Sequence, residues 1–469
     1  MEQLFSWRGD SDEGAARDEG EARTKSIVVF AVGSRGDVQP SCVLALALQA
    51  SGHEVHVATE ERLKPLVDEF KLRWRRLEGD KVGVLHEPEA QDALRQGSFF
   101  KLMQLTKRWE ARFDKQRILA SFVEASEGAD VIVASALCLT ECLSVAQLRR
   151  AAFVSLIPGP TWPTSEFPLW ALQVPCSCLY RQTYYLAFGA LWAQEKPQIN
   201  PWRKSLGLPP LEASAIGVIA RTAAPTLVAA SELMCGPHRK IPADYPEHVI
   251  VGGFLFAPEK IGASLLEAEL RRFVEPRGRA MTDSRPVVYF GFGSMPAPDP
   301  AELLQLVVDT CAAARCRAVL TAGWSALESD PRCYDLARSS AGTVLVRKAV
   351  PHGWFFPQCA VLVHHAGVGT LAAALRAGVP QVPCPFMLDQ SHNARLAVDL
   401  GVAPEIVPYD KRISAARLAR AIKQILEESG SGPLCTAARA VGEQVRAESS
   451  RAVGQFVSAV ENAKIMSAI

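Results

Sequence analysis

Short apolar runs alternate along the chain with glycine-rich turns and helical patterns. Lys25 to Val32 (KSIVVFAV) is too short for a helix and rich in β-branched residues, so it predicts a buried strand. Gly33-Ser34-Arg35-Gly36-Asp37-Val38-Gln39-Pro40 reads as a turn, Ser41 to Ala50 as a helix closed by Gly52, and Val55 to Ala58 as a second strand. Strand, turn, helix and strand in this order predict a parallel, doubly wound α/β sheet. Ala129 to Ser135 and Ala152 to Leu156 extend it, and Ala223 to Ala230 with Val249 to Gly252 end the first half.

After a charged stretch punctuated by glycine and proline, Glu259 to Arg285, the pattern restarts. Pro286 to Phe292 predicts a strand, Gly291-Phe292-Gly293-Ser294-Met295 a turn, and Ala301 to Ala314 a helix. Arg317 to Thr321 and Thr343 to Val346 predict two further strands. Ala360 to Val363 is another, ending at His364 and His365. Ala366-Gly367-Val368-Gly369-Thr370 then turns into a helix over Leu371 to Ala377, Gly378 stops it, and Gln381 to Cys384 is extended. From Ala415 to Ala463 the period is helical, with a break at Gly430-Ser431-Gly432-Pro433. The expected division is an acidic, disordered tail 1–24, a Rossmann-like domain 25–256, a linker 257–285, a second Rossmann-like domain 286–432, and closing helices 433–469.

Between Pro158 and Asn200 the sheet rhythm is lost, and Trp162, Phe167, Trp170, Tyr180, Tyr184, Tyr185, Phe188 and Trp192 lie among prolines. Such aromatics pack cores and interfaces. Irregular, aromatic-rich loops beside a parallel sheet also suit a flat apolar ligand.

A hydrophobic content of 48% over 469 residues is enough for a core in each half, and a net charge of +1 sets nucleic acid aside as a partner. The twelve cysteines lack metal-type spacing; Cys138/Cys142 and Cys176/Cys178 are the nearest pairs, and all are expected as reduced thiols. Residues 1–24 carry no apolar segment of a secretory signal. Leu169 to Ala193 is interrupted by Pro175 and Arg181 and is not expected to span a bilayer. A cytoplasmic protein, with a peripheral membrane contact compatible, is the expectation.

Strand, glycine-rich turn and helix over residues 360–377 form the local architecture of a phosphate site. The glycines admit an anion close to the backbone, and the first helical amides point at it. Thr370 can cap the helix or give its hydroxyl to a phosphate oxygen, and His365 can add a hydrogen bond or a positive charge. The turn matches neither the six-residue dinucleotide fingerprint nor a P-loop. Gly293-Ser294 can supply an amide and a hydroxyl to a second phosphate oxygen, or simply turn the chain. Asp37 opens a helix, where a carboxylate is electrostatically welcome. A turn after the first strand of such a domain also faces the cleft, where an aspartate can accept the proton of a hydroxyl.

Over its full length the second pattern is more specific. His-x-Gly-x-Gly-Thr at 365–370, a helix, Ala-Gly-Val-Pro at 377–380, a strand, Pro-Phe-x-x-Asp-Gln at 385–390, Asn393 and Leu400-Gly401-Val402 follow in order. This resembles the donor-binding box of glycosyltransferases of GT-B architecture. Gly-Ser-Arg-Gly-Asp-Val-Gln-Pro at 33–40 resembles the amino-terminal signature of their sterol and antibiotic branch. The chain thus looks like a sterol 3-beta-glucosyltransferase-like member of the GT-B UDP-glycosyltransferase superfamily from Lys25 to about Val460. The resemblance implies two doubly wound, Rossmann-like domains facing a central cleft, the first for the acceptor and the second for the nucleotide sugar, with a final helix crossing back onto the first.

It also implies roles. Asp37 is the general base, with Ser34, Arg35 and Gly36 beside it. Ser294, His365, Gly367, Gly369 and Thr370 hold the diphosphate, Val350 lies against the nucleotide base through its backbone, and Asp389 with Gln390 holds the sugar hydroxyls. His352, His364, His53 and His56 are read as structural. The chain has Ala373 and Ala349 where plant secondary-metabolite enzymes place Glu and Trp, and Ala366-Gly367 where the branch usually has two glycines.

The expected reaction is an inverting transfer of a hexose, glucose by resemblance, from UDP-glucose or another UDP-sugar to the hydroxyl of a sterol or other apolar acceptor near Trp162 to Trp192. No metal or other cofactor is expected, because no carboxylate cluster accompanies the motif. Asp37, taken as ionised near an unperturbed pKa of about 3.9, would receive the proton late in attack. A general base supplies roughly 10²–10⁴ in rate, and alignment and diphosphate stabilisation supply the rest. Competing readings are a polyketide, flavonoid or glycolipid acceptor, or a catalytically silent nucleotide-sugar-binding protein, against which intact Asp37 and Asp389 stand.

Overall fold

The computed structural model describes residues 24–95, 99–258, 266–274, 284–292, 299–321, 330–340, 342–386, 389–410, 413–428 and 430–466. The first lobe holds β1 (Ser26–Phe30), β2 (Glu54–Glu60), β3 (Arg73–Leu77), β4 (Val131–Ser135), β5 (Ala152–Ile157), β6 (Thr226–Val228) and β7 (Val249–Val251). They pair in the order β3-β2-β1-β4-β5-β6-β7, every pair parallel. The second lobe holds β8 (Val287–Gly291), β9 (Arg317–Thr321), β10 (Val344–Arg347), β11 (Val361–His364) and β12 (Gln381–Pro383), parallel in the order β10-β9-β8-β11-β12. Helices cover both faces of such sheets, so the central strands are near-continuous apolar runs, and β4, β5, β8 and β11 are buried throughout.

β3, which the apolar pattern does not predict, reads Arg-Trp-Arg-Arg-Leu. It is an edge strand, and its arginines are anchored: Arg73 reaches Glu54 at 2.5 Å, and Arg75 donates to the Ala125 and Glu127 carbonyls at 2.7 Å. Charged side chains of this kind also shield an edge from further pairing.

The first helix runs from Arg35 to Ala50, six residues earlier than predicted, and carries Pro40 inside it. Ser34 and Asp37 form a capping box that nucleates it. Pro40 removes one amide near the amino end, which the cap offsets. A second departure lies in the aromatic region, where Tyr180 to Ser205 forms a 26-residue helix rather than irregular loops. Tyr184 and Trp192 point into the core, while Tyr185 and Leu186 face solvent. Cys176 and Cys178 are joined in a disulfide, contrary to the expectation of reduced thiols; they lie in the exposed segment leading into that helix, with only Ser177 between them. No helix among the described residues is long and apolar enough to cross a membrane.

The last helix, Pro433–Glu461, straps the lobes together. Near its start it crosses the helix Val368–Ala377, where Gly442 meets Gly378 so closely that a side chain at 442 would sit 2.8 Å from the Gly378 Cα. Near its end Ala452, Phe456 and Val460 are fully buried in one cluster with Ile27 and Val29 of β1 and Val55 and Val57 of β2. Glu461 closes the contact, 3.1 Å from the ring of His53.

Candidate active site

In each sheet the strand order reverses once: the chain moves outward from β1 through β2 to β3 before returning to β4, and from β8 through β9 to β10 before returning to β11. The crevice beyond the carboxyl ends of strands at such a reversal is where open parallel sheets bind ligands. The turn after β1 lies at the first reversal, and those after β8 and β11 lie at the second.

Gly33 takes φ +116°, a conformation side chains rarely adopt, and a Cβ there would lie 2.7 Å from Asp37 Oδ2. The following residue grips the same oxygen: the Ser34 amide donates to it at 2.8 Å and the Ser34 hydroxyl at 2.7 Å. Asp37 also lines a small recess with Pro40, Ser135, Ala136, Leu156, Pro158 and Ala229. Burial in these largely apolar surroundings raises the Asp37 pKa above the ordinary carboxylate value, and the Ser34 hydrogen bonds offset part of the rise. The unperturbed value assumed from the sequence is therefore too low. The one side chain closes the helix cap and also lines the recess. Gly36 is exposed, and exposed Arg35 is bound to Gln39 and Glu69, each at 3.0 Å.

In the second lobe, helix 368–377 starts with Gly367 as its N-cap and has no side-chain cap bond. Thr370 thus lies inside the first turn and is not the cap. A Cβ at Gly367 would fall 2.3 Å from His365 Nε2, whereas Gly369 is exposed with open space over it. His365 is buried, its Nδ1 has no partner among the described residues, and burial pushes its pKa down to about 4. It is neutral at pH 7, so of its two sequence-level roles the hydrogen bond survives and the positive charge does not. His364 is structural: its Nδ1 accepts from the Ala366 amide at 3.1 Å, which places the proton on Nε2, 2.8 Å from Gln381 Oε1. Ala366 itself stands at φ +62°. Val350 is buried, and His352 stacks on Phe356 with ring centres 4.3 Å apart. Ser294 and Gly293 fall outside the described residues.

Asp389 precedes the helix Gln390–Asp399 and accepts from Asn393 Nδ2 at 2.9 Å. The same amide donates to the Ala366 carbonyl at 3.0 Å, tying the Asp-Gln turn to the glycine turn. Gln390 is buried, and its side-chain oxygen accepts from the Phe386 amide at 2.8 Å, directing that oxygen inward. The two lobes meet here electrostatically. Burial raises the Asp389 pKa, and the charge of Asp37 adds to the rise; in the same way Arg35 adds to the burial that lowers His352 to about 4. Asn393 was present in the sequence motif without a role. Its signal was its place one helical turn after Asp389, on the same face.

Residues 27–141 match the family model of the glycosyltransferase family 28 N-terminal domain, and residues 330–453 that of the erythromycin biosynthesis protein CIII-like C-terminal domain. The sterol 3-beta-glucosyltransferase of Aspergillus terreus is 29% identical over 427 residues, covering 90% of this chain and 29% of that protein. That of Yarrowia lipolytica is 28% identical over 432 residues, covering 90% and 28%. The chain therefore spans under a third of the length of these curated relatives. Among solved structures, the glycotransferase of kitacinnamycin superposes with a TM-score of 0.65 at 19% identity, over 93% of this chain and 100% of that one. Glycosyltransferase VinC in complex with DTDP gives 0.61 at 18% identity, over 93% and 99%. The two parallel sheets and these superpositions establish the fold.

Proposed function

We propose that this chain, a GT-B glycosyltransferase of the sterol 3-beta-glucosyltransferase type, moves a hexose, glucose, from a UDP-sugar to the hydroxyl of a sterol or similar apolar acceptor. The observation that carries the reading is a carboxylate, Asp37, held by Ser34 in a recess at the reversal of the first sheet, together with a second, Asp389, tied through Asn393 to the glycine turn at the reversal of the other. The relatives named above supply the substrate class.

In the proposed reaction the acceptor oxygen attacks the anomeric carbon from the side opposite the diphosphate. A bond forms from oxygen to C1, the bond from C1 to the diphosphate oxygen breaks, and the acceptor proton passes to Asp37. One displacement inverts the configuration. A carboxylate raised by burial is a better base than a solvated one, and such a base contributes roughly 10²–10⁴ in rate. The departing charge falls on the first turn of helix 368–377, where the amides of Val368, Gly369 and Thr370 have no intrahelical acceptors. Neutral His365 offers a hydrogen bond to the diphosphate, and Asp389 takes sugar hydroxyls. Gln390 holds the turn that presents them, and the Val350 backbone meets the nucleotide base. No divalent ion enters this scheme. A sterol acceptor carries with it contact with a membrane surface, and a UDP-sugar donor a cytoplasmic site.

The test is UDP release from UDP-glucose with and without ergosterol, with and without EDTA, in wild type and in Asp37→Asn. Sterol-dependent release that resists EDTA and falls at least a hundredfold in the variant is expected. Undiminished release by Asp37→Asn removes the base from its role, and transfer to a flavonoid but not to ergosterol overturns the acceptor class.

A further inference from the structure

Gly33, in its left-handed conformation, carries an amide and a carbonyl that no neighbouring strand or helix pairs, and two side chains from the end of β2 take both. Glu60 is 3% exposed, and its Oε2 accepts from the Gly33 amide at 3.3 Å. Its Oε1 accepts from the Lys81 amide at 2.5 Å. Arg62 Nη2 donates to the Gly33 carbonyl at 2.8 Å, and its Nε lies 3.2 Å from Asp80 Oδ1. Arg62 also faces Glu60 at 3.8 Å, so the buried carboxylate has a cation and two amides around it. The peptide groups on both sides of Gly33 are thus held from the end of β2, on a residue where an added Cβ would fall 2.7 Å from Asp37 Oδ2.

We propose that Glu60 and Arg62 are positioning residues for Asp37: by clamping Gly33 they fix the turn from which Ser34 holds the carboxylate in the cleft. The inference rests on Asp37 being the general base. Neither residue touches a reacting atom. Glu60 and Arg62 act through Gly33 and Ser34, which donates twice to the Asp37 carboxylate. Misplacing a catalytic group by about an ångström costs on the order of a hundredfold in rate. Donor binding, which belongs to the second lobe, is left alone by the clamp.

The experiment compares Glu60→Gln, Arg62→Met, Arg62→Lys and Asp37→Asn in UDP-glucose transfer to ergosterol, with KM for the donor, UDP affinity and the pH profile of kcat/KM. Expected for Glu60→Gln and Arg62→Met is a loss of roughly tenfold to a hundredfold in kcat at unchanged UDP affinity and donor KM. The acid limb should move to higher pH, because a loosened Ser34 no longer supports the ionised carboxylate. Arg62→Lys, which keeps the charge and one donor, should recover part of the rate. Wild-type kcat and an unmoved acid limb in folded Glu60→Gln, with Asp37→Asn inactive, overturn the clamp and leave the base standing. A loss of rate that tracks only the folded fraction, with the acid limb in place, overturns it as well. Activity that persists in Asp37→Asn overturns the reading of the base and the clamp with it. Glu60→Gln preserves shape and volume, so the clamp can be judged even where Arg62→Met does not fold.

Discussion

Ser34 holds Asp37 twice on a single oxygen, through its amide at 2.8 Å and its hydroxyl at 2.7 Å. Both bonds favour the ionised carboxylate, while burial in the recess opposes it, and burial is the larger effect. A raised carboxylate pKa has opposite consequences for the two things pH controls. Activity needs the ionised form, so the rate falls as pH drops through a value above the ordinary carboxylate range. The contribution of Asp37 to stability is greatest when it is protonated and is lost as pH rises through that same raised pKa. Ser34→Ala keeps the amide bond and removes the hydroxyl bond. Hydrogen bonds to charged groups are worth about 1.5–3 kcal/mol, so the variant should lose roughly tenfold at the acid end of the kcat/KM profile and less at the alkaline end. An acid limb that stays where it is in Ser34→Ala would show that the hydroxyl does not support the ionised base.

Among the strands read closely, β9 was read residue for residue and β1, β4 and β11 to within two residues at either end, and all four are buried almost throughout. β3 stayed hidden because three of its five residues are arginines, whose partners Glu54, Ala125 and Glu127 come from elsewhere in the chain. The start of the first helix was placed late because Pro40 looks like a breaker until the capping box is seen to nucleate the helix ahead of it. At the site, the identity of Asp37 was legible in a local motif, but its pKa was not. The recess that raises it is assembled from Ser135, Leu156 and Ala229, about 100 to 190 positions away and brought together only by the sheet order. The charge state of His365 was hidden for the same reason, since burial is a property of the packed lobe and not of the turn.

Asn393 provides the link between the two donor elements, and its two bonds are of different kinds. One supports the Asp389 carboxylate at 2.9 Å; the other satisfies the buried Ala366 carbonyl at 3.0 Å in a residue held at φ +62°. Asn393→Ala leaves both acceptors without a donor, which should destabilise the protein by about 1–3 kcal/mol and raise the KM for UDP-glucose. Asn393→Asp has nearly the same shape but sets an acceptor against both partners and a like charge against Asp389, so it should destabilise more than alanine at neutral pH. The excess should shrink as pH falls and the carboxylates become protonated. Chemical denaturation at two pH values measures this, and an Asn393→Asp variant as stable as Asn393→Ala at neutral pH would mean that the bridge carries no electrostatic weight.

The last helix approaches the first lobe closely at Gly252, and the energetics of that contact can be isolated. Phe456 is fully buried against Gly252, just after β7, and a Cβ at Gly252 would lie 2.6 Å from the Phe456 ring and 3.3 Å from the Ala452 Cα. Because the ring belongs to the helix and the glycine to the first lobe, a clash here is a clash between the strap and the domain carrying Asp37. Gly252→Ala should destabilise by about 1–3 kcal/mol through overpacking. Phe456→Ala should cost about 3–5 kcal/mol through the cavity it leaves. The two effects are not independent, since the smaller side chain at 456 frees the space that the new methyl group needs. In the double variant the loss should fall short of the sum by about 0.5–3 kcal/mol, the range expected for residues in direct contact. Thermal unfolding of the four proteins in the cycle gives that coupling. Strict additivity would show that the helix end moves away from β7 without resistance, and the strap would then owe its hold on the first lobe to Val460 and Glu461 instead.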